Sequence, residues 1–245
     1  SPTVIPNQSI VQTGIGKASV LLPDNSSISL EENTEITVNY TPQAISVYQN
    51  LGTTYHRVEA LITGKTYQVQ TAGTLAAVRG TKFAVKYDIK TKKTKIAVTE
   101  HKVEVSSIPK TVGTTTIPAQ IVMVEEGKTV SIEVKEGIQQ GKPTPLLIID
   151  TNKDPEMKAY VEVEKKIDIE LDSIKKEHSS EEDFRKEIKR VLFDDINSDT
   201  PKEIEKEVEI EQKSTEEIEK EIPDVEVRER DDIIKKEAIT KPVTT

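Results

Sequence analysis

Two short stretches of this sequence resemble ligand-binding loops. Residues 137–142 read Gly-Ile-Gln-Gln-Gly-Lys, which resembles a loop whose main-chain N–H groups cradle phosphates. The two glycines are one residue too close together, and Pro143 stands where such a loop needs a serine or threonine hydroxyl. We therefore predict that this loop does not bind a nucleotide.

Residues 150–154, Asp-Thr-Asn-Lys-Asp, carry the alternating oxygen ligands of a calcium-binding loop. Pro155 replaces the glycine that the sharp turn of such a loop requires, and Val161 replaces its final bidentate glutamate. The alternative is an Asx-rich linker whose last residue caps a helix. The second interpretation fits the residues better, so we predict no bound metal and no other cofactor.

The sequence contains no set of residues with the spacing of a catalytic site. Its three histidines, His56, His101 and His178, are far apart, and none has a second histidine at metal-ligand spacing. Cysteine is absent, and no Gly-x-Ser-x-Gly elbow occurs. The acidic pairs at 31–32 and 125–126 lie beside predicted turns, where solvated charge is usual. We predict that the protein is not an enzyme.

The charge is distributed unevenly along the 245 residues. Residues 1–150 carry 15 Lys and Arg against 13 Asp and Glu, a net charge of +2, whereas residues 151–245 carry 19 against 30, a net charge of −11. Together these give the net charge of −9. Because nucleic-acid binding depends on neutralising phosphates with basic side chains, we predict that nucleic acid is not a partner. No run of about 18 apolar residues occurs, so no transmembrane helix is predicted.

Apolar residues recur at every second position through most of residues 15–134, which is the period of a half-buried strand. Clusters such as Pro-Asp-Asn at 23–25 and Glu-Gly-Lys at 126–128 separate the runs and favour turns. The fold class is therefore mainly β. We predict an all-β domain of short strands, solenoid-like or sandwich-like, over residues 14–135, after an N-terminal extension of residues 1–13.

The pattern changes beyond a Pro- and Gly-containing stretch that we interpret as a linker, residues 136–153. Asp154 followed by Pro155 predicts the start of a helix, because Asp caps free N–H groups and Pro is tolerated at the first helical position. Met157, Leu171 and Ile174 lie on its apolar stripe. An acidic, charged helical region is predicted over 154–222, and an extended or disordered tail over 223–245.

A second helix is predicted to begin at a capping box formed by Ser179 and Glu182. Its apolar residues recur at helical spacing and form one face. An isolated helix of this length is marginal in water, so the face must pack on a helix partner, on the β domain or on another subunit. We predict that it is an interaction surface, composed of Phe184, Ile188, Val191 and Leu192.

Several segments of the β region, in the right order, resemble a FecR domain. They are residues 16–30, 33–38 and 47–55, then 78–85, which read Val-Arg-Gly-Thr-Lys-Phe-Ala-Val, and finally 125–130. The segment at 78–85 is the most specific, because it resembles the Gly-Thr-x-Phe-x-Val strand of the family. The resemblance covers residues 14–135.

The resemblance implies an extracytoplasmic bacterial domain without a catalytic site. In its structural motif of Gly80, Thr81 and Phe83, the glycine would allow a tight bend between strands and the phenylalanine would anchor the core. In the family's regulators, this domain lies in the periplasm and is linked through a membrane helix to a cytoplasmic segment that controls a sigma factor. The present sequence shows neither of those parts.

Our main functional hypothesis is therefore a non-catalytic scaffold or assembly subunit of the cell envelope. The alternative is a periplasmic sensor or regulator fragment of a FecR-type sigma-factor signalling system. The chain opens with Ser1 and Pro2, from which we expect that a leader was removed and that the protein works in the periplasm or at the cell surface. The expected partners are envelope proteins or a second copy of this chain.

Overall fold

The computed structural model describes residues 3–59, 61, 64–112, 114–133, 146–177, 180–194 and 208–210. All of them lie in the first of two compact units, residues 1–212. The chain is mostly β-structure followed by helices, so the predicted fold class is confirmed. No helix in the described part of the chain is long and apolar enough to cross a membrane.

All the strands of the described residues but β17 lie in the first 150 positions, where the branched side chains of Val, Ile and Thr favour a pleated backbone. The strands are β1 (Thr3–Ile5), β2 (Ile10–Gln12), β3 (Ala18–Leu21), β4 (Ser27–Leu30), β5 (Glu35–Tyr40), β6 (Ala44–Arg57), β7 (Thr66–Gln70), β8 (Thr74–Val78), β9 (Lys82–Asp88), β10 (Lys93–Glu100), β11 (Lys102–Ser107), β12 (Lys110–Val112), β13 (Thr115–Ile117), β14 (Ile121–Glu125), β15 (Lys128–Glu133), β16 (Leu146–Asp150) and β17 (Val208–Ile210). A 3-10 turn (Thr151–Lys153) leads into helix α1 (Pro155–Glu177), and helix α2 (Glu181–Asp194) follows.

Strand β6 is long and takes part in two sheets. Its second half pairs with β4 and β9 in sheet A, which has the order β1-β17-β3-β4-β6-β9-β10-β15-β16. Its first half pairs with β5 and, in parallel, with β7 in sheet B, which has the order β2-β5-β6-β7-β8-β11-β14. Strands β12 and β13 form a separate two-stranded hairpin.

The main hydrophobic core lies between the two sheets. Strand alternation directs every second side chain inward, as in β5, where Ile36, Val38 and Tyr40 are buried. Phe83 of sheet A and Tyr67 of sheet B lie in the same cluster and are fully buried. The fold therefore has the sandwich-like arrangement that the sequence predicts as one of two possibilities.

The helices cover the other face of sheet A. Tyr55 and Ala84, which point away from the main core, pack with Met157 and Val161 of α1 in a smaller cluster. Leu21 of β3 packs with both helices in another. The layers are thus helices, sheet A and sheet B, and the helical hairpin belongs to the body of the fold.

The structure differs from the predicted boundaries at three places. Residues 1–13 are not a bare extension, because β2 pairs with β5 and Val11 is buried in the main core. Residues 146–150 of the predicted linker form β16, which pairs with β15. Residues 208–210, predicted as helix, form β17 beside β3. Residues 136–145 of the predicted linker, the last two residues of the predicted β domain, and the predicted segments at 195–207 and 211–245 lie outside the described residues.

The helix starts are close to those predicted. The Met157 N–H donates to Asp154 Oδ1 at 3.3 Å, which confirms Asp154 as the N-cap of α1. Helix α2 is capped by Ser180 and not by the predicted Ser179: the Asp183 N–H donates to Ser180 Oγ at 3.1 Å, and that hydroxyl donates to the Asp183 carboxylate at 2.7 Å. Serine capping is thus one residue further along the chain, with Asp183 replacing the predicted glutamate.

Candidate functional site

A cluster of charged side chains lies buried between sheet A and α1. Arg57 of β6 meets two carboxylates of the helix, with Nη2 2.5 Å from Glu164 Oε2 and Nε 2.7 Å from Asp168 Oδ1. The three residues are 4 to 6% exposed. Spacing explains the arrangement, because residues four apart lie on one helix face. We call Tyr55, Arg57, Glu164 and Asp168 the buried ionic cluster.

Tyr55 completes this cluster from the same strand. Its hydroxyl donates to Asp168 Oδ2 at 2.6 Å and lies 2.7 Å from Thr99 Oγ1. The Arg57 guanidinium lies 4.7 Å from the centre of the Tyr55 ring and also donates to Ser29 Oγ at 2.8 Å. Because Tyr55 and Arg57 of β6 bond to Glu164 and Asp168 of α1, the cluster fixes where α1 sits on the sheet.

Burial and charge act together on the ionisation of these groups. Burial lowers the pKa of Arg57, but the Glu164 and Asp168 carboxylates outweigh that effect and raise the pKa above its usual value. Burial raises the pKa of Glu164, and Arg57 offsets only part of this. Burial and then Asp168 raise the pKa of Tyr55 far beyond the physiological range, so the phenol keeps its proton. Such groups are suited to holding a helix, not to exchanging protons with a substrate.

The sequence analysis missed Glu164 and Asp168. They belong to the buried stripe of α1, since Met157, Val161, Glu164, Asp168 and Leu171 recur at steps of four and three residues. The sequence contains a signal for this cluster. An apolar helix stripe that includes two acidic residues predicts a basic partner on the surface against which the helix packs. Val163 and Ile169, which the sequence places off the apolar stripe, are 49% and 72% exposed.

A second buried polar group lies between the sheets, where His56 stacks on Phe83 with ring centres 4.9 Å apart. Thr54 Oγ1 donates its single proton to Gln49 Oε1 at 2.8 Å, so it must accept from His56 Nε2 at 2.8 Å. His56 Nδ1 then accepts from the Tyr67 hydroxyl at 2.8 Å. Burial, followed by the charge of Arg57, lowers the pKa of His56 to about 3, so the ring is neutral.

The other candidate ligands of the sequence are engaged in local structure. The Asp150 carboxylate accepts from the Asn152 N–H at 3.0 Å and caps the 3-10 turn, while Asp154 pairs with Lys95 at 2.8 Å. Exposed His101 lies in the turn between β10 and β11, and His178 is outside the described residues. Within the described part of the chain, no group of three His, Asp or Glu side chains is arranged to hold a metal ion.

The outer face of sheet B differs from that of sheet A, since both described helices pack on sheet A. One row of cross-strand neighbours on this face runs from Ile10 through Tyr48 to Ile121. Ile10 and Ile121 are 66% exposed and Tyr48 is 42% exposed. The other residues of the row are only partly exposed, so the three exposed side chains stand apart from one another on this face.

A groove of about 690 Å³ crosses sheet B near the end of β8. Its walls come from β7, β8, β11 and β14, and include Arg79, Gly80, Lys102, Glu104 and Met123. The groove is open and carries both signs of charge, which suits a protein segment better than a small enclosed ligand.

Comparison with known proteins identifies the β region. Residues 9–104 match the family model described as FecR protein. The resemblance predicted from the sequence is confirmed. This FecR region runs from the start of sheet B to β11, and it contains the Arg57 side of the buried ionic cluster and most of the groove wall.

The chain is also similar to two crystal structures described as a "putative anti-sigma factor" from Parabacteroides distasonis ATCC 8503, at 2.50 and 1.65 Å resolution. Each is 19% identical in sequence, with a TM-score of 0.46, over 58% of this chain and 59% of the other. The matched part is thus less than two thirds of that protein. No curated protein matches this chain.

Within the FecR region, the three motif residues have different positions. Gly80 lies in the link between β8 and β9 with a φ of +101°, a conformation that side chains with a Cβ rarely adopt. The buried Thr81 Oγ1 donates to the Lys102 carbonyl at 3.2 Å, which ties this link to β11. Phe83 lies in the main core.

The four residues of the predicted interaction surface on α2 come together, but against their own chain. Phe184, Ile188, Val191 and Leu192 are all buried, in one cluster with Leu171 and Ile174 of α1 and Leu21 of β3. Of the three packing options that the sequence left open, the structure shows contacts with both the helix partner and the β domain. Binding of a partner through these side chains remains a prediction.

Proposed function

We propose that this protein is the partner-binding part of a FecR-type signalling regulator, that it works outside the bacterial cytoplasm and that it catalyses no reaction. The observation that carries the proposal is the FecR match over residues 9–104. The sequence led us first to a scaffold role and placed the regulator second. The family match favours the regulator, and no finding supports a scaffold.

The ionisable groups of the interior support a binding role. A general base needs a proton acceptor that reaches a substrate, and a nucleophile needs such a base beside it. Glu164 and Asp168 are instead enclosed with Arg57, and His56 is enclosed between the sheets. Their hydrogen bonds are made within the chain, so they stabilise the fold and hold α1 in place.

The outer face of sheet B supports contact with a protein. Ile10, Tyr48 and Ile121 are spread over the width of the sheet, with Leu75 and polar Thr, Gln and Ser side chains between them. A mixture of aromatic, apolar and uncharged polar side chains is usual at protein interfaces that form and separate.

Gene deletion in the native bacterium tests the proposal. Loss of the protein should change the transcription of one set of genes, and this change should vanish in a strain that also lacks the sigma factor transcribing that set. Complementation with the full gene should restore the pattern. Unchanged transcription together with defective envelope assembly would instead establish the scaffold role.

A fusion to alkaline phosphatase, which is active only outside the cytoplasm, tests the location separately. The full gene with its natural start should give an active fusion. Activity that appears only after cell lysis would contradict an extracytoplasmic role.

A further inference from the structure

Strands β11 and β14 form one end of sheet B as an antiparallel hairpin. Ser106 lies opposite Ile121, and Lys102 lies opposite Glu125. The small hairpin of β12 and β13 keeps the same register, with Lys110 opposite Ile117. In the described part of the chain, β14 pairs with β11 on one side and with no strand on its other side.

The hydrogen-bond pattern shows which main-chain groups of β14 face this outer edge. The Ser107 N–H donates to the Gln120 carbonyl, and the Glu126 N–H donates to the His101 carbonyl, at the two ends of the ladder. Because hydrogen-bonded pairs alternate in an antiparallel ladder, Val122 and Val124 bond to β11. The N–H and C=O groups of Ile121, Met123 and Glu125 therefore point away from it.

The side chains of these same three residues lie on the outer face of sheet B. Ile121 is 66% exposed and Met123 is 44% exposed, and Met123 also lines the groove. Glu125 and the neighbouring Glu126 are exposed, and neither carboxylate forms an ion pair with a described residue. The edge thus offers unpaired main-chain groups beside two apolar side chains and a negative charge.

We propose that the edge of β14 binds an extended segment of a partner protein as an added antiparallel strand. The segment would carry apolar side chains beside Ile121 and Met123 and a lysine or arginine beside Glu125, which is the charge that complements it. Main-chain pairing supplies affinity in this mode of recognition, and alternate side chains supply specificity. The inference rests on the proposed function in one respect, that the partner is a protein.

A second copy of this chain fits the edge less well. If two β14 strands paired around Met123, each Glu125 would lie beside Ile121 of the other copy and would meet no basic residue. A five-residue strand also buries far less than the roughly 800 Å² per partner that a stable pair of proteins needs. A short peptide segment does not require so large an interface.

The test uses the full chain and the synthetic peptide acetyl-Thr-Lys-Thr-Val-Thr-Val-Thr-amide. Titration followed by amide NMR should show saturable shifts at residues 121–125. N-methylation of the lysine and both valines removes the N–H groups that would face β14 and should abolish the shifts. N-methylation of the two inner threonines should leave them in place. Replacing the peptide lysine with glutamate should weaken binding by up to about fivefold.

Two variants at Met123 distinguish the contribution of main-chain pairing from that of the side chain. Met123→Pro removes an N–H that points away from β11, so the hairpin should remain folded while peptide binding is lost. Met123→Thr keeps that N–H and should keep most of the binding, and Ile89→Thr, at an exposed site in the turn between β9 and β10, should keep all of it.

Three results would overturn the proposal: binding that survives Met123→Pro, peptide-induced shifts that fall elsewhere, or no saturable binding at all. Concentration-dependent dimerisation through β14 in the absence of peptide would replace the partner segment with a second copy. All of these measurements use purified protein, so their failure leaves the result of the gene deletion unaffected.

Discussion

In most proteins charged side chains are exposed and apolar ones are buried, but the outer faces of the two sheets show the opposite at several positions. On sheet A, the charged side chain of Arg57 is only 5% exposed because α1 covers it. On sheet B, the apolar side chains of Ile10 and Ile121 are 66% exposed. The comparison teaches that the polarity of a strand's outer face does not reveal whether it is covered. A face is covered when another element of the fold carries side chains that complement those of the face.

Charge also makes the position of α1 specific. An apolar helix could slide on an apolar sheet with little loss, whereas Glu164 and Asp168 must both reach Arg57 to be compensated. Sheet B has no such requirement on its outer face, so it can present that face to another molecule.

Among the changes that test this difference between the two sheets, removal of the helical layer should have the largest effect. A chain that ends at Glu133 loses β16, α1, α2 and β17, which leaves Arg57 without its carboxylates and exposes Tyr55. The alternating strands of residues 14–135 predict a domain that buries its own core and melts cooperatively without the helices. From the structure we expect instead that this fragment loses its cooperative thermal transition, as measured by circular dichroism. A sharp transition close to that of the full chain would show that the helices are dispensable.

Arg57→Met tests the buried ionic cluster itself. Two buried carboxylates would lose their counter-charge, and we expect the free energy of unfolding to fall by about 3–5 kcal/mol. Denaturant titration measures this. Adding Glu164→Leu and Asp168→Leu to the same chain should recover most of the loss, because an apolar replacement needs no counter-charge. The matched control is Tyr48→Thr on sheet B, for which we expect a change within about 0.5 kcal/mol.

Gly52 lies in β6 where the two sheets meet, and its substitution tests how tightly the backbone is constrained there. Its φ is +91°, and a Cβ there would lie 2.5 Å from Thr34 Cα and 2.7 Å from the Asn33 carbonyl oxygen. We expect Gly52→Ala to lower the free energy of unfolding by more than about 2 kcal/mol, because backbone atoms cannot move aside. Gly127→Ala is the control: its φ is +75° but nothing lies within 4 Å, so about 1 kcal/mol is expected. Equal losses would mean that β6 is not constrained at its bend.

The neutral His56 predicts a pH dependence. Its pKa is lowered from 6.5 to about 3 in the fold, so the unfolded chain binds more protons between these values and stability is lost as the pH falls. The expected contribution is about 2 kcal/mol between pH 8 and pH 5. The raised pKa of Glu164 acts in the opposite direction, so the measurement is the difference between the wild type and His56→Gln across this range. Parallel stability curves would show that His56 titrates normally in the fold.

The parts of the fold that follow from local chemistry could be predicted from the sequence. Period-two runs identified most strands of both sheets, and Asp154 with Pro155 identified the start of α1. The apolar run of β16 could not be recognised, because four consecutive apolar residues beside prolines and glycines show no alternation. Its strand structure comes from pairing with β15, which is a long-range contact.

The buried ionic cluster marks a second limit. The two acids in the buried stripe of α1 indicate a basic partner, but only the packing of the helix on sheet A shows that this partner is Arg57. The order of strands in the two sheets could not be predicted either, because it also depends on contacts between distant parts of the chain. The parallel pairing of β6 with β7 depends on the whole chain, and no local pattern encodes it.

Strand β6 makes the two sheets a single cooperative unit. Its fourteen residues hold hydrogen bonds to β4, β5, β7 and β9, so neither sheet can open at its centre while the other remains intact. Two sheets with separate central strands could unfold one after the other. We therefore expect the hydrogen-bonded amide protons of β6 to exchange with solvent through global unfolding of the β region, so that both sheets share one lifetime.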